Sequence, residues 1–144
     1  LTSRNLLRWG GVAVGALAAI TVIASTAMPR NPDVPPRITV QLTDAGTSRT
    51  TDCTATAYEG SFFDGATVTV DADEAVLGEA TVGGAGTSSD RGCTWTAVFE
   101  DVEIADEYTI TLRSAGSPPR EHVYSYSAED LAERDGALSI SVFA

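Results

Sequence analysis

From residue 38 to residue 142 apolar side chains recur at every second position. A chain with that period is committed to strands that bury one face and wet the other. Ile38, Val40 and Leu42 alternate with Thr39, Gln41 and Thr43, and Cys53, Ala55 and Ala57 alternate with Thr54, Thr56 and Tyr58. Val68 and Val70 follow a turn at Asp64-Gly65, and Val76, Leu77 and Val82 mark a less regular strand. Cys93, Trp95, Ala97 and Phe99 share one face of the next, and Tyr108, Ile110 and Leu112 share one face of YTITLR. HVYSYS follows the Ser-Pro-Pro turn at 117–119, and Leu138, Ile140 and Val142 end the series. About eight strands with turn residues at short intervals predict an all-β fold, an antiparallel β-sandwich over residues 38–144. The abundance of threonine and valine favours the same state.

One segment departs from the period. SAEDLAERDG, residues 127–136, sets Ser127 three positions before Asp130, an arrangement that caps a helix start, and Gly136 is placed to end one. A short helix is predicted over 128–134, with Leu131 as its core contact. The stretch GGAGTSSDRG, residues 83–92, reads by composition as a flexible loop.

Cys53 and Cys93 are the only cysteines, 40 positions apart, each on a predicted strand. A zinc site needs three or four nitrogen and sulfur ligands, and the chain has a single histidine, His122. A catalytic thiol needs a base and a thiolate-stabilising neighbour; Cys93 has Arg91 nearby but shares its face with the bulky Trp95. Two cysteines in an exported β-domain most simply form a disulfide. An immunoglobulin domain would carry its tryptophan between the cysteines, whereas Trp95 follows the second.

Export is expected from the other end of the chain. Residues 9–28, WGGVAVGALAAITVIASTAM, hold no charge over twenty positions, enough as a helix to span roughly 30 Å. Trp9 stands at one end as an interfacial aromatic; Arg4 and Arg8 precede the stretch and Arg30 and Arg37 follow it, so it is the amino terminus that places residues 1–8 on the cytoplasmic side in this reading. Gly11, Gly15 and Ala19 repeat every four residues, a spacing that lets membrane helices pack closely. The stretch is read either as an uncleaved transmembrane anchor in the cytoplasmic membrane or as a signal peptide, with Ser25-Thr26-Ala27 as a cleavage site. The first leaves the domain tethered to the lipid bilayer through residues 9–28 and the second leaves it secreted. PRNPDVPPR, residues 29–37, carries four prolines and forms an extended spacer.

From residue 31 onward 20 acidic side chains face six arginines, a net charge of −14. Such a surface is repelled by phosphates, which sets nucleic acid aside as a partner. The acids cluster twice. DADE, residues 71–74, with Asp64 near it in sequence, offers Asp64, Asp71, Asp73 and Glu74 as oxygen donors of the kind calcium takes, without the EF-hand spacing. EDVEIADE, residues 100–107, is the second cluster, read first as a solvated loop and otherwise as a place for calcium or a cationic partner. His122 is a potential general base, but no nucleophile motif accompanies it. No phosphate loop, dinucleotide fingerprint or metalloprotease helix occurs, so no cofactor and no catalytic residue is assigned. Tyr124 and Tyr126 alternate on one face, to pack the core or to line a binding surface.

The run GATVTV followed by CTWTAVFEDVEIADEYTITL resembles prealbumin-like and carboxypeptidase-regulatory-like modules, in which a strand ending in F-x-D/N-V turns into a Y-T strand. Glu107 stands where the regulatory-like modules carry glycine before the tyrosine. Those two runs, taken with YSAEDL and LSISV, also resemble small envelope proteins of actinobacteria with one N-terminal hydrophobic segment and a two-cysteine β-domain. The resemblance implies a non-enzymatic scaffold or binding module and transfers no site residues. The function expected is therefore contact with a protein partner outside the cytoplasmic membrane, as a free module or as an accessory subunit of a membrane complex. The alternative is a domain that binds a small ligand or calcium, and the third reading is a hydrolase built on His122.

Overall fold

The computed structural model describes residues 36–46 and 52–144. The apolar stretch 9–28, with Trp9, Gly11, Gly15 and Ala19, lies outside the described residues, as do residues 29–35 of the spacer. Among the described residues no helix is long and apolar enough to cross a membrane. They form eight strands: β1 (Ile38–Asp44), β2 (Ala66–Ala72), β3 (Ala75–Val82), β4 (Thr87–Ser89), β5 (Gly92–Phe99), β6 (Glu107–Arg113), β7 (Glu121–Ser127) and β8 (Ala137–Val142). One short helix, α1 (Ala128–Glu133), joins β7 to β8. The strands make two four-stranded sheets, ordered β4-β5-β1-β8 and β3-β2-β6-β7, in a sandwich-like arrangement around one core.

The period of two puts the expected residues inside. Ala66, Val68, Val70 and Ala72 of β2 are buried beside Tyr108, Ile110 and Leu112 of β6, with Val68 opposite Leu112 and Val70 opposite Ile110. In the other sheet Ile38 lies opposite Phe99, Val40 opposite Ala97 and Leu42 opposite Trp95, all buried. Burying each large apolar side chain contributes roughly 1.5–3 kcal/mol, which is what holds the two layers together.

Three expectations need correction. The fold is not purely antiparallel, because β8 pairs parallel to β1. After β7 the chain crosses between sheets through α1 and enters beside the start of β1, where the Thr39 amide donates to the Gly136 carbonyl at 2.8 Å. The two strands stay together to the Ala45 amide, which donates to the Val142 carbonyl at 2.8 Å. Gly136 makes this entry with φ +72°, and a Cβ there would collide with the Arg37 carbonyl oxygen.

Residues 53–57 are not a strand. Asp52 Oδ1 accepts from the Thr54 amide, the Thr54 carbonyl accepts from the Ala57 amide, and Thr56–Tyr58 form a single 3₁₀ turn. These local bonds give the backbone an alternative to a ladder, and the alanines offer little to bury in one. The stretch 83–92 is more ordered than its composition predicts. β4 forms a tight hairpin with β5 across Asp90-Arg91, with Ser89 opposite Gly92 and Thr87 opposite Thr94.

The predicted helix is present and ends at Glu133. Ser127 and Asp130 form a reciprocal capping box: the Asp130 amide donates to Ser127 Oγ at 3.0 Å and the Ser127 amide to Asp130 Oδ2 at 3.2 Å. Leu131 is buried as expected. The bonds from Ser127 hold the Asp130 carboxyl below its ordinary value of 3.8. A carboxyl with a lowered folded-state pKa stabilises the fold above the unfolded value, and the contribution is lost as pH falls through the lowered one. Asp130→Asn is therefore expected to lower the urea midpoint at neutral pH, with the gap to the parent closing as pH falls below 3.8. A gap independent of pH would show that the carboxylate charge is not what caps the helix.

The second acidic stretch is a built corner. Val102 is buried and its amide donates to the Pro36 carbonyl at 3.0 Å, while the Tyr108 hydroxyl donates to the Glu103 carbonyl at 3.0 Å and accepts from the Ala105 amide at 2.9 Å. The Asp106 carbonyl accepts from the Ala128 amide, tying the corner to the start of α1. Glu100, exposed, pairs with Arg37 at 3.1 Å.

Candidate functional site

Cys53 and Cys93 form the disulfide, with their Cα atoms 5.4 Å apart. Only Cys93 is on a strand. The bond therefore pins the connection between β1 and β2 onto β5; it does not join two strand layers. Both cysteines are buried, Cys93 to 1% exposure, and the Cys53 carbonyl accepts from the Gly86 amide at 2.7 Å.

An aromatic cluster continues the attachment. Tyr58 meets Trp95 edge-on with centroids 4.7 Å apart, Trp95 stacks on Phe63 at 4.2 Å, and Phe63 meets Phe62 edge-on at 5.7 Å. The Tyr58 hydroxyl donates to Asp44 Oδ2 at 2.8 Å and the Trp95 indole N–H donates to the Gly84 carbonyl at 3.3 Å, so both polar tips are satisfied. Gly86 lets the chain cross the indole closely: a Cβ there would lie 2.8 Å from Trp95 Cζ2. Phe62 and Phe63 carry no weight in the sequence reading, and Tyr58 enters it only as an alternating residue of the strand expected from Cys53. The signal was the run YEGSFFDG, three aromatics in six residues with two of them between glycines, which follows neither the period of two nor that of a helix.

The four oxygen donors proposed for calcium are not brought together. Asp71, Asp73 and Glu74 line an open depression of about 490 Å³ with Ala72, Glu107 and Thr109, at the β2–β3 hairpin. Asp64 lies beyond the other end of β2, on the order of 20 Å away along the strand, where it accepts from the Gly60 amide at 2.8 Å. Asp73 and Glu74 form the two-residue turn with φ of 50° and 64°, the left-handed values that a tight hairpin requires. Glu107, from the other acidic stretch, is the neighbour the sequence did not link to this turn; it arrives because Asp71 pairs with Thr109. Among the described residues no group of three or more His, Cys, Asp or Glu side chains is arranged to hold a metal ion.

Calcium takes six to eight oxygens, so this depression is expected to leave thermal melting unchanged between calcium and EDTA. A site filled at 100 times its Kd would add about 2.7 kcal/mol and raise the midpoint by roughly 10 °C. A shift of that size would revive the calcium reading.

His122 sits on β7 opposite Leu112, half-buried, with its ring edge-on to Phe62 at 5.7 Å. It does not line the acidic depression. Tyr124 and Tyr126 are half-buried and pack against the core, with the Arg134 guanidinium 6.0 Å above the Tyr126 ring. Burial pushes the Tyr126 hydroxyl above its ordinary value, against the opposing pull of Arg134.

Comparison with protein-family models, with curated proteins and with solved structures finds no match.

Proposed function

We propose that this chain is an extracytoplasmic contact module: a disulfide-pinned β-domain, held at the cytoplasmic membrane by residues 9–28 or released from it, that docks on a protein partner. The observation that carries the reading is the buried Cys53–Cys93 bond, since such bonds persist in oxidising compartments and are rare in the cytosol. The uncharged stretch 9–28 supplies the route of export, and the proline-rich spacer supplies the stand-off. The acidic surface supports a cationic partner face. A single ion pair, Arg37 with Glu100, occurs among the described residues, so most carboxylates remain available to a basic surface. An accessory subunit of a membrane complex is the form of this role that the tether favours.

The test combines topology with capture. External protease on spheroplasts is expected to digest the β-domain, and thiol labelling before reduction is expected to find both cysteines blocked. Purification in mild detergent is expected to recover a second protein in fixed ratio. A domain protected inside the cell with two free thiols would overturn the placement, and recovery of this chain with no other protein would overturn the role.

A further inference from the structure

An aspartate followed by glycine is a place where a chain can rewrite its own backbone. The glycine nitrogen attacks the aspartate side-chain carboxyl carbon, and a glycine carries no Cβ to obstruct the approach. The chain has two such pairs, Asp64-Gly65 and Asp135-Gly136, and no asparagine precedes a glycine. At Asp135-Gly136 the backbone is locked. The Gly136 amide, which would be the nucleophile, is given to the Leu131 carbonyl at 2.7 Å, and the Asp135 amide to the Ala132 carbonyl at 3.0 Å. The Gly136 carbonyl accepts from the Thr39 amide, and the Arg37 carbonyl oxygen lies where a Cβ of Gly136 would stand. Before this nitrogen can reach the Asp135 carboxyl, the end of α1 and the entry of β8 beside β1 must open, and local opening of that kind costs free energy.

Asp64-Gly65 is not restrained in that way. It lies between the aromatic connection and the start of β2, and Asp64 is exposed. The Gly65 amide makes no hydrogen bond among the described residues. Gly83 passes beside it without covering it: only a Cβ at residue 83 would come within 3.3 Å of the Gly65 nitrogen. The Asp64 carboxyl accepts one bond, from the Gly60 amide to Oδ2 at 2.8 Å, which draws electron density away from the carboxyl carbon. The nucleophile is thus free at this pair and engaged at the other.

We propose that Asp64 is a modification site at which the folded domain converts its own aspartate to isoaspartate. The Gly65 nitrogen bonds to Asp64 Cγ, and the hydroxyl of the protonated carboxyl leaves as water with the proton from that nitrogen, closing a succinimide ring. Water then adds to one of the two ring carbonyls. Addition at Cγ restores aspartate. Addition at the former main-chain carbonyl carbon breaks its bond to the Gly65 nitrogen, and the chain then runs through Cβ and Cγ. Water is the only co-reactant, and the mass is unchanged. The main chain becomes one carbon longer between Phe63, which is fully buried, and Ala66, where β2 enters its ladder opposite Val82. The modification therefore disturbs the seat of Phe63 on Trp95, and the Cys53–Cys93 bond is left to hold the connection on the domain.

The inference is independent of compartment and of any partner. The full chain is held for weeks at neutral pH, native in detergent and, in parallel, reduced and unfolded in guanidinium. Electron-transfer fragmentation then distinguishes isoaspartate from aspartate at each pair. In the native chain Asp64 is expected to convert about tenfold or more faster than Asp135, because only the second must wait for a local opening. In guanidinium the two pairs are expected to convert at similar rates, which assigns the difference to the fold. Equal rates in the native chain, or an Asp64 that converts in guanidinium and not in the native chain, would overturn the proposal. Asp64→Glu keeps the charge but would have to close a larger ring, and is expected to stay unmodified at that position. The aged parent is expected to lose part of the near-ultraviolet circular dichroism of the Trp95 stack, which the aged variant keeps. Equal signals from the two would overturn the coupling to Phe63.

Discussion

Cys53→Ser is expected to cost the folded domain about 4 kcal/mol, the chain-entropy value for a loop closed over the 40-residue separation. A domain of this size has about 5–15 kcal/mol in total, so the urea midpoint should fall by roughly a quarter or more. Cys53 lies outside any ladder. Its segment is held by one 3₁₀ turn, the Gly86 amide and the aromatic contacts of Tyr58, and without the bond it can open before the sheets do. Because the crosslink acts mainly on the unfolded chain, its loss should also steepen the dependence on urea, as more surface is exposed on unfolding. Matched urea titrations of the parent and the variant measure both quantities. A change below about 1 kcal/mol would mean that the aromatic cluster alone fixes the connection.

Phe63→Ala is expected to cost nearly as much, about 3–5 kcal/mol, the range for emptying a buried phenylalanine site. Phe63 is fully buried between Trp95, Tyr58 and Phe62. The cavity cannot close easily: the indole is anchored at Gly84, the Tyr58 hydroxyl at Asp44, and Gly86 runs so near the indole that a Cβ there would lie 2.8 Å from it. Loss of near-ultraviolet circular dichroism from the Trp95 stack, with the far-ultraviolet signal kept, would mark the cause as local. The two substitutions act on one connection, so their costs should not add, and the double variant reports the coupling.

What was legible in the sequence depended on whether burial or pairing decides an element. β1, β2, β5, β6 and β8 announce themselves because one face of each is apolar at every second residue, and the capping box does the same for α1. β4 carries no such mark: its three residues are small, polar and exposed, and the strand exists only because β5 offers an edge to pair with. Residues 53–57 imitate a strand, since small residues alternate with threonine there, but the Asp52 and Thr54 side chains satisfy the backbone locally. The pairing of the first strand with the last leaves no local trace, because a parallel neighbour nearly 100 positions away is chosen by how α1 crosses between sheets. The site was legible in its chemistry and not in its assembly. Two cysteines imply a bond, and acids near a turn suggest a cation, but only the β2–β6 register reveals that Glu107 and not Asp64 is the neighbour of Asp71.

The parallel seam between β1 and β8 has a mechanical consequence. One strand begins at Ile38 and its neighbour ends at Val142, running in the same direction. A pull applied through the spacer at one terminus and through Ala144 at the other draws the two strands lengthwise past each other. All the bonds from Thr39 to Ala45 then share the load at once, whereas a hairpin pulled at its open end parts bond by bond like a zip. The domain is thus built to bear tension between its two ends.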